Sequence, residues 1–129
     1  MFGLTKKTDY GLELMIALAK KSRQKPIPLR QIAKEKKLPF KYLEQVVIPL
    51  KGAGLVDAKE GKGGGYFLTR EPKKITVAKI VEVLEGPVEV GHCFGCPKVN
   101  LCVQKDVWVE VGDKVKKTME GKTLKDLIK

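Results

Sequence analysis

Apolar residues recur at helical spacing along residues 6–22. Tyr10, Leu14, Ala17 and Leu18 form one stripe, and Leu12, Met15 and Ile16 widen it. Lys20, Lys21 and Arg23 close the segment, where cations suit the negative end of a helix dipole. A polar turn with Pro26 and Pro28 follows. Residues 29–37 read as a short helix with Leu29, Ile32 and Ala33 inward, and Leu38 makes a tight turn. Pro39 fits the first turn of the next helix, over 39–48, whose inner stripe is Leu43, Val46 and Val47. Pro49 is expected to kink or end that helix near Ile48.

The period then changes. Residues 55–59 and 66–69 are strand-like, and Glu60 to Gly65 make a glycine-rich tip, so a β-hairpin is expected. Helical spacing returns over 75–85 through Ile75, Val77, Ala78, Ile80, Val81 and Leu84, with Thr76 near its start. Gly86-Pro87 stops it. After a cysteine-bearing loop at 91–102, residues 103–120 read as a long helix with Val107, Trp108, Val111, Val115 and Met119 on one face. Gly112 is expected to interrupt it at some cost. Gly121 is a stop signal, and Thr123 is an N-cap candidate for a closing helix over 123–128.

The pattern predicts a mainly α fold with a small β-hairpin. Two short helices joined by a tight turn and followed by a hairpin describe a winged helix-turn-helix, with a long helix added after it. Domain divisions are expected at 1–86 (reader head), 87–102 (cysteine loop) and 103–129 (long and closing helices). A chain of 129 residues buries a modest core, so a dimer sharing part of that core is compatible with its size.

Charge sharpens the picture. The net charge is +11, and residues 1–70 carry 15 Lys and Arg against 6 Asp and Glu. The surplus therefore lies in the half that holds the helix-turn-helix, as a nucleic-acid interface requires. A lysine-rich solvated surface on a small helical domain with no DNA partner is the plainer alternative. The second helix would enter the major groove and offer Phe40, Lys41, Tyr42, Glu44 and Gln45 to DNA. Arg30 on the helix before it, and Lys59, Lys62 and the glycine N–H groups of Gly63, Gly64 and Gly65 on the hairpin, suit phosphates.

The three cysteines, Cys93, Cys96 and Cys102, lie within ten residues. Their odd number cannot pair completely into disulfides. Convergent thiolates favour an iron–sulfur cluster, zinc or copper(I), and His92 is one candidate for a fourth ligand. A thioredoxin-type redox motif is disfavoured because no strand precedes Cys93. No apolar run approaches the roughly 18 residues of a membrane helix, and the first nine residues lack a signal-peptide core, so a cytoplasmic location is expected. A single histidine, no Ser/His/Asp set and no nucleotide fingerprint argue against an enzyme.

Several strings together resemble the IscR/NsrR family of bacterial winged-helix repressors. They are Tyr42-Leu43-Glu44-Gln45, Leu50 to Val56, Gly63-Gly64-Gly65-Tyr66, Ile75-Thr76-Val77, Val83 to Gly86, the cysteine loop followed by Trp108, and Thr123 to Leu127. The resemblance implies an iron–sulfur-dependent regulator, with a 2Fe–2S or 4Fe–4S cofactor, that responds to cluster status, nitric oxide or redox state. It implies a homodimer built on the long C-terminal helix, reading a palindromic promoter site. The start of the chain, Leu4 to Leu12, resembles the NsrR branch, which implies that Asp9 completes the cluster across the dimer. The position where the IscR branch places its histidine ligand holds Lys105 here. Asp9 can equally be a carboxylate favoured at a helix start. Two residues separate Cys93 from Cys96, fewer than is usual in the family, and a cluster-free or zinc-bound regulator with structural or thiol-redox cysteines is the alternative.

Overall fold

A computed structural model describes residues 3–21, 25–90 and 103–128. The cysteine loop, with His92, Cys93, Cys96 and Cys102, lies outside the described residues. Six α-helices, α1 (Lys6–Lys20), α2 (Leu29–Lys36), α3 (Phe40–Gly52), α4 (Val77–Glu85), α5 (Lys105–Glu120) and α6 (Leu124–Leu127), accompany a hairpin of β1 (Val56–Lys59) and β2 (Gly65–Leu68) among these residues. A 3-10 turn at Pro72–Lys74 leads into α4.

Thr5 caps α1 by accepting from the Lys7 N–H at 3.2 Å. The helix buries Gly11, Leu14, Met15, Ala17 and Leu18 against α3 and α4. α2 buries Leu29 and Ile32 and ends on Lys37 in the left-handed region, φ 55°. The Lys37 and Leu38 N–H groups both donate to the Ala33 carbonyl, which turns the chain into α3.

α3 runs through Pro49 to Gly52 rather than ending at Ile48. The proline deprives the Gln45 carbonyl of its helical donor, and Gln45 is exposed, so the loss falls on a residue open to solvent. The extra turn places Leu50 in the core, 0% exposed. The stop is a Schellman arrangement: Leu55 N–H donates to Leu50 and Gly54 N–H to Lys51, both at 3.0 Å, with Gly54 at φ 77°.

The hairpin is antiparallel, with Val56 opposite Leu68 and Lys59 opposite Gly65. Ile27 adds a bridge on the other side of β2 by exchanging two 2.9 Å hydrogen bonds with Tyr66, which ties the wing to the entrance of α2. A Cβ on Gly65 would lie 2.3 Å from the Ile27 backbone, so only glycine permits this bridge.

α4, capped by Thr76, buries Ala78, Ile80, Val81 and Leu84. α5 packs chiefly on α4 and is continuous through Gly112, where the bare backbone faces Val88 and Val90. The chain then returns to the head. Val77 N–H donates to Lys122, and Leu124 N–H to Ile75, both at 2.8 Å. Leu124 is fully buried in the same core as Leu14, Leu43 and Ile80. No described helix is long and apolar enough to cross a membrane.

Candidate nucleic-acid interface and sensor segment

α3 presents Lys41, Glu44, Gln45 and Ile48 to solvent. These positions share one helical face, opposite the buried Leu43, Val46, Val47 and Leu50. Ile48 is 69% exposed and extends the face by a turn. An aliphatic side chain there suits a thymine methyl group. Sequence reading missed it because Pro49 was expected to close the helix at that point.

Phe40 and Tyr42 differ from the expectation that both face DNA freely. Each is half-buried and packs against the core. The Tyr42 ring meets Tyr10 edge-on, with centroids 4.7 Å apart and planes at 73°, so it fastens α3 to α1. The Phe40 ring lies under the Arg30 guanidinium, whose central carbon is 4.1 Å from the ring centroid.

On the wing, Lys59 and Lys62 are exposed. Gly64 shapes the tip of the hairpin. Its N–H donates to the Gly61 carbonyl at 3.0 Å, and a Cβ would lie 2.2 Å from the Lys59 carbonyl. That N–H is therefore already used within the tip, whereas the sequence reading offered it to a phosphate. Among the described residues, Arg30, Lys41, Lys59 and Lys62 take part in no ion pair. Their charge is left unneutralised on the side of the molecule that carries the reader helix and wing.

After α4 the chain is described through Gly86 to Val90 and again from Val103. At the end of α4, one Glu85 carboxylate oxygen accepts from the Thr5 N–H, the Thr5 hydroxyl and the Thr8 hydroxyl, each at 2.7 Å. Burial raises the Glu85 pKa, but these hydrogen bonds and the Lys7 charge outweigh it and hold the pKa below its ordinary value. This clamp joins the start of α1 to the end of α4. Sequence reading missed it because 80 residues separate Thr5 from Glu85.

Asp9 lies in the first turn of α1, beside the clamp, with only a loose 4.0 Å pair to Lys6. Its carboxylate is 61% exposed and open to a further partner. Among the described residues no three His, Cys, Asp or Glu gather as a metal site. Beyond the cysteine segment, α5 exposes Val107 (54%), Trp108 (37%), Val109 (36%) and Val111 (39%). Val107, Trp108 and Val111 share one side of the helix, and large apolar side chains left in water are candidates for an association surface.

A family profile described as Rrf2, iron-dependent transcriptional regulator, matches residues 4–129. The chain belongs to the Rrf2 family. Within it, the chain is 40% identical over 124 residues to the HTH-type transcriptional regulator CymR of Bacillus subtilis strain 168, covering 96% of this chain and 88% of that protein. It is 30% identical over 129 residues to the HTH-type transcriptional regulator IscR of Xenorhabdus nematophila, covering 98% and 79%. The solved structure of CymR, described as the global cysteine regulator of B. subtilis, superposes with a TM-score of 0.85 at 39% identity, over 98% of this chain and 96% of that one. IscR of T. potens superposes at 0.79 and 34% identity, over 98% and 85%.

The resemblance to IscR-type regulators is thus borne out, and so is the winged-helix fold. As an Rrf2 protein the chain is a DNA-binding transcription regulator and not an enzyme.

Proposed function

We propose that this Rrf2 protein is a cytoplasmic homodimer that represses from a palindromic promoter site, with its DNA affinity set by an iron–sulfur cluster on Cys93, Cys96 and Cys102. The observation that carries this reading is the place of the three thiols. In the sequence they lie between α4, the last helix of the proposed reader head, and α5, the helix with the exposed apolar face.

The donor set fits such a group: three soft thiolates, with a hard carboxylate available from the exposed Asp9. Asp9, supplied across the dimer, is the fourth ligand in this reading, and His92 is the alternative. When bound, the group would supply a centre sensitive to redox state and nitric oxide. The protein's own parts do the rest. The Glu85 clamp holds the start of α1, and with it Asp9, against the end of α4. α5 joins the subunits through Val107, Trp108 and Val111. A change in the thiol segment then moves one head relative to the other and alters half-site spacing. Arg30, Lys41, Glu44, Gln45, Lys59 and Lys62 make the DNA contacts, with Tyr42, Gly63, Gly64 and Gly65 shaping the surface. Residues 1–86 act as reader, 87–102 as sensor and 103–129 as the dimer arm.

The second reading is a cluster-free or zinc-bound regulator whose cysteines are structural or thiol-redox groups. The 40% identity to CymR and the short Cys93–Cys96 spacer favour it. Anaerobic purification with iron and sulfide quantitation separates the two, together with a salt-matched DNA titration of loaded and metal-free protein. Near-stoichiometric iron and sulfide, absorption at about 320–460 nm and different DNA affinities support the cluster. Zinc alone, or equal affinities in both forms, removes it.

A further inference from the structure

Arg30 occupies a place that helix stability does not favour. It is the second residue of α2, a helix with no acidic residue in its first turn, so its cation sits at the positive end of the dipole. Among the described residues no carboxylate pairs with it. Its one partner there is the Phe40 ring, 4.1 Å below the guanidinium carbon and across the turn of the helix-turn-helix. A planar cation stacked on a ring is held by its face, and its N–H groups, which lie in the plane, stay free at the edge.

We propose that Phe40 is a positioning residue for DNA binding. Its ring fixes Arg30 so that the guanidinium edge meets a backbone phosphate where the reader helix enters the groove. Phe40 is half-buried, whereas Arg30 is exposed. The ring is thus anchored in the protein and the cation is presented outward. Phosphate is the favoured acceptor because Arg30 lies on the helix that precedes the reader, and that helix crosses the backbone in helix-turn-helix complexes. The inference rests on the proposed role of Arg30 at the DNA surface.

The test uses the full chain and two duplexes of about 30 base pairs, enough for two half-sites one turn apart. The wild-type protein selects one duplex from a random pool, and the other is unselected. Binding is followed by fluorescence anisotropy across a salt series. Phe40→Leu is expected to weaken binding to both duplexes roughly five- to twentyfold, one lost cation–ring contact in each half-site. Phe40→Tyr restores affinity. Arg30→Ala lowers the salt slope by about one per subunit. Adding Phe40→Leu to Arg30→Ala changes little, because the two residues act as one unit.

Wild-type affinity in Arg30→Ala removes the role of Arg30 and the proposal with it. A weakened Arg30→Ala beside an unchanged Phe40→Leu, or losses that add in the double variant, overturns the positioning role alone. A loss confined to the selected duplex, with an unchanged slope, assigns Arg30 to a base edge and overturns the phosphate assignment. If Phe40→Leu loses its fold by urea denaturation, Arg30→Lys takes its place at the exposed site. It keeps the charge and loses the planar group, so weaker binding to both duplexes is expected, and wild-type affinity overturns the proposal.

Discussion

Three donors converge on one oxygen of Glu85, and one of them comes from Thr8, the buried polar residue among those described, 3% exposed. A hydroxyl in that position is tolerated only because the carboxylate receives it. Glu85→Gln keeps the shape and removes the charge, and it should destabilise the fold by about 1–2 kcal/mol at pH 7 for hydrogen bonds to a charged, partly solvated group. The pH dependence follows from the depressed pKa. The ionised clamp contributes fully above the ordinary glutamate value of 4.5 and loses its contribution as pH falls through the lower folded value. Urea unfolding at several pH values should therefore show a gap between wild type and Glu85→Gln that is flat above 4.5 and closes below it. A gap that widens on acidification would contradict the clamp.

Lys37 gives a second residue-scale prediction. It holds φ 55° and ψ 47° at the end of α2, a conformation unfavourable for a residue with a Cβ. Lys37→Gly should stabilise the fold by about 0.5–1 kcal/mol in urea unfolding, less the entropy glycine adds to the unfolded chain.

At the scale of elements, periodicity made α1 and α4 legible because each has one buried stripe; Leu14 and Leu18 on α1 and Ala78, Val81 and Leu84 on α4 needed no tertiary information. α3 was cut short because a proline rule outweighed the pull of Leu50 toward the core. The bridge between Ile27 and Tyr66 and the bridge between Thr76 and Thr123 left no periodic trace, since each is a single pair of backbone hydrogen bonds. The site was half legible. Residue type and spacing singled out Lys41, Glu44 and Gln45, which the structure leaves exposed, whereas Phe40 and Tyr42 read as exposed because a sequence does not say which aromatic finds a partner; the cysteines lie outside the described residues. α5 is the reverse case, a helix whose apolar face was plain in the sequence and is left largely uncovered in the structure. Val111→Asp in the centre of that face should turn a dimer into a monomer by analytical ultracentrifugation. The helix itself should survive, because Val111 is 39% exposed and contributes little to the head. An unchanged sedimentation coefficient would move the dimer interface elsewhere.

For the whole molecule, the decisive feature is that α5 is held at its middle and again just beyond its C-terminal end. Gly112 seats it against Val88 and Val90 on the α4 side, and Leu124 locks its far end into the core beside the backbone bridge to Ile75 and Val77. An arm held at two points moves with its head, so a dimer built on it presents two reader helices at a fixed spacing. Leu124→Ala tests this. The cavity should cost about 2–4 kcal/mol, against under about 1 kcal/mol for Leu127→Ala on the partly exposed side of α6. At temperatures where the variant stays folded and dimeric, a loosened arm lowers the effective concentration of the second head at its half-site. Affinity for a palindromic duplex should then fall by about three- to tenfold while affinity for an isolated half-site holds. Equal losses on both duplexes would place the defect in the reader head, and loss of the dimer at the same protein concentration would place it in the interface. Only the selective loss on the palindrome identifies α6 as the bolt that turns two heads and an arm into one measuring device.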